Sequence, residues 1–145
     1  PTRHFSGRGI KRNVTLWGAW AMRTPTHNVY FGADSGYSPT FAEVGERLGP
    51  FDLVFLECGA YNVNWAQIHM MPEETAQAAK DLRAAVLHPI HWGKFSLALH
   101  PWKEPMERLL PAAEAIGVKV LTPVPGTIVV DADSTAGSRW WEALR

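Results

Sequence analysis

Phe51–Glu57 reads FDLVFLE. A compact apolar run of this length is the mark of a β-strand covered on both faces, as in the middle of a parallel sheet. The residues on either side support that reading. Gly49-Pro50 stands just before it and ends a short helix running to about Leu48. Thr40 and Glu43 form a capping-box pattern at the expected start of that helix. After the run, CGAYNVNWAQIHM is loop-like. Pro72 then opens a second helix, with Glu73 and Glu74 in its first turn, where the dipole favours them. Ala76, Ala79 and Leu82 supply its apolar side.

Further out, TLWGAWAM (Thr15–Met22) and NVYFGA (Asn28–Ala33) read as strands. Their link, RTPTHN, is short enough that the two should pair antiparallel. AVLHPI (Ala85–Ile90) reads as another strand. Met106, Leu109, Leu110 and Ala113 follow the spacing of an amphipathic helix, which Pro111 should kink or split. VKVLT and TIVVD read as the last strands and SRWWEALR as a closing helix. This alternation predicts a single α/β domain over residues 1–145, with a largely parallel sheet and an antiparallel margin.

Composition narrows the function. The formal net charge is zero, which gives no electrostatic case for nucleic acid. There is one cysteine, Cys58, so no internal disulfide forms. That fits a reducing compartment, and a cytoplasmic location is expected, with peripheral membrane attachment left open. No run of about 18 apolar residues is present to span a membrane. The seven tryptophans read as core and rim residues. PTRHFSGRG has no apolar segment of the signal-peptide kind. Pro1 stands where a Met would begin a chain, so a processing point or the boundary of a longer chain is expected.

In open α/β sheets, ligands gather beyond the carboxyl ends of strands. Asp34 follows the second strand, the loop after Phe51–Glu57 leads to His69, and His91 follows the Ala85–Ile90 strand. In LHPIHWGKF (Leu87–Phe95), Pro89 argues against a helix, and an odd offset in extended chain sends His88 and His91 to opposite faces. His91, at the exit beside Gly93, is the functional candidate, and His88 is expected to be packed and hydrogen-bonded. His4 reads either as a ligand or base flanked by Arg3, Arg8, Lys11 and Arg12, or as part of a solvated basic terminus. His69 stands either near an anion held at the Pro72 helix start or in a plain surface loop. His27 and His100 read as structural, and Cys58 as a buried inert thiol. The spacing of His4, Asp34 and His91 matches no compact zinc motif.

Six stretches taken in order carry a resemblance. They are PTRHFSGRG with TLWGAW, VYFGADSGY, FAEVGERLGPFDL, GAYNVNW, IHMMPEETAQAAKDL and PIHWGKF. Together they resemble the metallo-β-lactamase superfamily. Within it they are most similar to the branch of N-acyl-phosphatidylethanolamine-hydrolysing phospholipase D and the ascorbate-6-phosphate lactonase relatives. The resemblance implies that His4 matches the third histidine on a first metal, Asp34 a bridging aspartate and His91 the last histidine on a second metal. It implies that His69 is the catalytic candidate, close to the reacting phosphate or carbonyl, either touching the substrate or standing just behind the groups that do. Zinc suits such donors, and two ions would activate a bridging hydroxide.

The family's His-x-His-x-Asp-His motif is absent from the sequence. The chain therefore resembles the C-terminal half of a four-layer αββα sandwich, one sheet with its helices. Such a half would leave an apolar sheet face to be covered by the missing half or by a second copy. The expected function is the C-terminal portion of a zinc-dependent hydrolase acting on small anionic phosphodiester, lactone or related ester substrates. The isolated chain is expected to hold metal partially or not at all and to be inactive. The alternative is a non-catalytic α/β binding or assembly module. A small doubly wound domain with a ligand at its helix N-termini fits less well, for want of a Gly-rich phosphate loop.

Overall fold

The computed structural model describes residues 1–6, 10–11, 13–96, 98–129 and 138–144. Phe51–Glu57 is the strand β3, hydrogen-bonded on both sides. β2 (Asn28–Phe31) and β4 (Ala84–Ile90) pair parallel to it, and β1 (Trp20–Arg23) pairs antiparallel to β2 at the edge. The order β1-β2-β3-β4 is the parallel sheet with an antiparallel margin that the sequence predicts.

The first two strands are shorter than expected. Thr15–Ala19 lie outside β1, and β2 stops at Phe31. Gly32 still donates its N–H to Phe55 O, but Ala33 then turns into the left-handed region at φ 53° and ends the ladder. Of the expected closing strands, VKVLT is a single parallel bridge, Val120 to Leu87. Thr127–Val129 form no strand, and the rest of TIVVD lies outside the described residues. SRWWEALR forms only a 3₁₀ turn, Trp140–Ala143, with Arg145 outside the described residues.

Three helices pack together: α1 (Thr40–Leu48), α2 (Pro72–Asp81) and α3 (Glu104–Ala115). The expected capping box at α1 is not formed. Pro39 holds the cap position at φ −58°, so Thr40 is already helical and no side chain caps the end. At α2, the Glu74 carboxylate does accept the Met71 N–H at 2.9 Å. Pro111 does not split α3, which runs unbroken from Glu104 to Ala115. Proline removes the hydrogen bond to the Glu107 carbonyl. Glu107 and Pro111 are both exposed, so water can satisfy that carbonyl. Ala76, Ala79 and Leu82 of the α2 face meet Met106, Leu109 and Ala113 of α3 in one buried cluster with Val54, Leu56 and Leu87 of the sheet.

The sheet also carries an apolar row that the helices do not cover. Register aligns Trp20, Phe31, Phe55 and His88 across the four strands. Aligned neighbours project to the same face. Trp20 is 70% exposed and Phe31 38%. Toward β4 this row borders a cleft of about 880 Å³ walled by Leu121, Val124 and Trp140.

Candidate active site at the carboxyl ends of β2, β3 and β4

Three parallel strands end on the same side of the sheet, and each hands its chain to a loop with a titratable side chain. Asp34 follows β2, Glu57 ends β3 with His69 further along the same loop, and His91 follows β4. His91 sits in the left-handed region at φ 64°, a conformation uncommon for a residue with a Cβ. The turn carries its ring away from the line of the strand. Strand parity therefore does not decide where His91 points; the turn, and not the odd offset, gives His91 and His88 their different partners.

Backbone contacts at two glycines draw the loops together. A Cβ on Gly36 would lie 2.3 Å from Gln67 O, so only glycine lets the Asp34 loop meet the segment ahead of His69. A Cβ on Gly59 would lie 1.9 Å from His91 O, so glycine is equally needed where the β3 loop touches the exit of β4.

The N-terminal segment closes the remaining side. Arg3 bridges antiparallel to Gly36, its backbone N–H donates to Ser35 Oγ, and its guanidinium donates to Tyr37 O at 3.1 Å. This fixes His4 against the site and sets the solvated-terminus reading of His4 aside. Trp17 stacks on the His4 ring at 4.4 Å between centroids and donates its indole N–H to Asp34 O at 2.9 Å. Arg8 and Arg12 lie outside the described residues.

The four residues predicted from the sequence stand as one chain of contacts. His91 Nε2 lies 3.5 Å from Asp34 Oδ1. The His91 and His69 rings are 5.4 Å apart between centroids, and His69 meets His4 edge to face at 5.4 Å. His4 donates Nδ1–H to Phe5 O at 2.7 Å, which leaves the Nε2 lone pair free of a proton in the neutral ring.

Zinc fits part of this donor set. Two ligands about 2.1 Å from a tetrahedral zinc stand roughly 3.4 Å apart, close to the His91–Asp34 separation. That separation is long for a hydrogen bond. Asp34, His91 and His4 supply a carboxylate and imidazoles, ordinary zinc donors. Among the described residues, however, no three His, Cys, Asp or Glu side chains converge closely enough to hold an ion between them. The fit is therefore that of a pair, with His4 one ring further away.

Two participants were not foreseen from the sequence. Trp17 lay inside a stretch read as strand. Glu57 reads from the sequence as a strand end, yet its side chain is 0% exposed. The available signal is a carboxylate at the end of the apolar LVFL run, where the strand remains buried. Glu57 Oε1 accepts the Met70 N–H at 2.6 Å, and Oε2 lies 3.4 Å from His69 Nδ1.

The other candidates are structural. His88 bonds through Nδ1 to Leu121 O at 2.9 Å and meets Phe55 edge-on. His27 bonds to Thr26 in its turn, and His100 stacks on Tyr61 at 4.0 Å. Cys58 is fully buried; burial first, and the charge of Glu57 next, push its thiol well above the ordinary range. It is inert as a nucleophile.

Comparison with known proteins places these features in a family. The family model of the beta-lactamase superfamily domain matches residues 1–92. An uncharacterized protein of Mycobacterium tuberculosis is 50% identical over 147 aligned positions, covering 97% of this chain and 39% of that protein. N-acyl-phosphatidylethanolamine-hydrolyzing phospholipase D 1 of Caenorhabditis elegans is 34% identical over 114 positions, covering 75% of this chain and 32% of that one. The chain thus spans between 32% and 39% of the length of these curated relatives. Among solved structures, Igni18, a metallo hydrolase of Ignicoccus hospitalis, shares the fold. It superimposes with a TM-score of 0.62 at 24% identity, over 89% of this chain and 49% of its own.

Proposed function

The chain belongs to the metallo-β-lactamase superfamily, and from that premise we propose that it forms part of the catalytic centre of a zinc-dependent hydrolase. The observation that carries this reading is the approach of His91 Nε2 to Asp34 Oδ1, at 3.5 Å, from strands that are not neighbours in the sheet. Asp34, His91 and His4, the last through Nε2, would be the residues of this segment that help to hold the metal. The remaining ligands would come from outside this segment. Bound zinc supplies a Lewis acid and a water acidic enough to attack at neutral pH.

The chain's own residues do the rest. Trp17 and Arg3 hold His4 and the Asp34 loop in fixed relation. His69, between the His4 and His91 rings, contacts the reacting phosphate or carbonyl oxygen. The basic residues close to His4 in sequence, Arg3 and Lys11 among them, favour a small anionic substrate such as a phosphodiester, a lactone or a related ester. The C. elegans relative's name, a phospholipid-hydrolysing phospholipase D, supports the phosphodiester class.

The test uses the full-length protein with zinc and bis(4-nitrophenyl) phosphate. Asp34→Asn and His91→Ala should each reduce turnover to near background. Unchanged turnover in both would leave a non-catalytic α/β binding or assembly module as the better account. Residues 1–145 alone should hold metal weakly and be inactive; two tightly held zinc ions per chain after dialysis, by elemental analysis, would contradict this. The open row from Trp20 to Phe31 should be covered by the remainder of the protein or by a second copy. A concentration-independent, well-folded monomer of residues 1–145 on size exclusion would argue against such a cover.

A further inference from the structure

Glu57 presents a problem that the hydrolase reading does not solve. Its side chain is 0% exposed, and burying a carboxylate is costly unless both oxygens are paired. Oε1 is paired, with the Met70 N–H at 2.6 Å. Among the described residues, Oε2 has no hydrogen-bond partner, and neither has His69 Nδ1, which is also buried. These two orphaned atoms face each other at 3.4 Å. The His69 side chain is 13% exposed, and since Nδ1 is sealed, that exposure belongs to its other atoms.

We propose that Glu57 is the positioning residue of His69: it accepts the Nδ1 proton, fixes the ring's tautomer and rotation, and leaves Nε2 for the substrate. An ionised carboxylate only accepts hydrogen bonds, so the nitrogen facing it must carry the proton. Buried carboxylates orient functional histidines in this way in many sites, setting which ring nitrogen is free. The support is rigid. Glu57 is the last residue of β3, its carbonyl accepts the Thr75 Oγ1 hydroxyl at 3.0 Å, and Met70, next to His69, is held by the same carboxylate. One side chain thus ties the end of a central strand, the backbone at Met70 and the His69 ring. Asp52, the other acid of β3, lies at the opposite end of the strand and is exposed.

Glu57→Gln separates this role from packing. The amide has the same shape, and its carbonyl must stay on the Met70 N–H. Its NH₂ then faces His69 Nδ1, which becomes the acceptor, and the ring proton moves to Nε2. The catalytic part of the inference rests on the hydrolase reading; the tautomer part does not. Long-range ¹H–¹⁵N spectra of the zinc-loaded full-length protein should show His69 protonated on Nδ1, and Glu57→Gln should switch the proton to Nε2.

With bis(4-nitrophenyl) phosphate, Glu57→Gln should lower kcat about 10- to 100-fold, with KM and zinc content nearly unchanged. Added to His69→Ala, it should cost nothing more. His69 protonated on Nε2 in the unaltered protein, or one tautomer shared by both proteins, would overturn the positioning role. So would unaltered kcat in Glu57→Gln of an active enzyme. Absence of turnover in the unaltered protein would count against the hydrolase reading alone, with the spectra still deciding the role of Glu57.

Discussion

Glu73 lies on α2 with half of its side chain in water, and Arg108 of α3 grips it through two nitrogens at 2.9 and 2.8 Å. Glu57 lies at the end of β3 with none of its side chain in water and one oxygen left unbonded beside a histidine. The helical layer around Glu73 spends its polar groups on closing itself. Arg108 also reaches Glu104, which accepts the Tyr61 hydroxyl at 2.7 Å. Burial first, and the Glu104 bond next, hold the Tyr61 phenol far above its ordinary range. The strand-end loops do the reverse. Among the described residues, five buried side-chain polar atoms lack a hydrogen-bond partner, and three of them belong to Glu57, His69 and His91. Unmet polar groups each cost about 1–3 kcal/mol. Their concentration in one place sets this end of the sheet apart from the helical layer.

Substitutions can break that contrast, beginning with the largest effect. Asp34→Asn or His91→Ala in the full-length protein should lower turnover about a thousandfold, roughly 4 kcal/mol of barrier, with little change in the urea midpoint. A matching loss of stability would show that these residues are ordinary packing. Leu109→Ala, in the fully buried face of α3, should show the opposite split. It should cost about 3 kcal/mol in urea unfolding and leave the kcat of the folded fraction intact.

Gly59→Ala should fall between the two kinds of effect. Its new methyl meets the His91 carbonyl, so about 1–3 kcal/mol of stability and a measurable part of kcat should go together. Arg108→Ala should do least, no more than about 1 kcal/mol, because both partners are more than a third exposed and solvent screens the pair. Burial alone would raise the Glu73 carboxyl, but Arg108 outweighs it and holds the group below its ordinary 4.5. The depressed value means that the pair's contribution is present above pH 4.5 and fades as pH falls through the lowered value. Urea curves for the two proteins should therefore converge in acid. A gap that widened in acid would reverse the sign assigned to this pair.

The sheet was legible because β3 is a compact apolar run paired on both sides, but it is covered less evenly than such a run suggests: Val54 and Leu56 are buried, while Leu53 and Phe55 are only partly so. Asp34 and His91 were legible as polar residues just past strand ends, where parallel sheets place ligands. Loop geometry was not legible. Thr15–Ala19 alternates weakly like a strand, yet its Trp17 is drawn to His4 and Asp34, a pull set by distant residues. Pro111 looked like a break because propensity ignores the buried face of α3. Glu57 was hidden because its partner, His69, depends on how a loop folds back, which no local pattern encodes.

Trp17 makes one property of the site observable from outside. Its ring lies on His4 and its N–H on the Asp34 carbonyl, so the two loops share a single chromophore. A shift of either loop changes the polarity and stacking felt by that indole. With the other tryptophans replaced by phenylalanine, its emission would follow ligand entry in real time, with no attached dye.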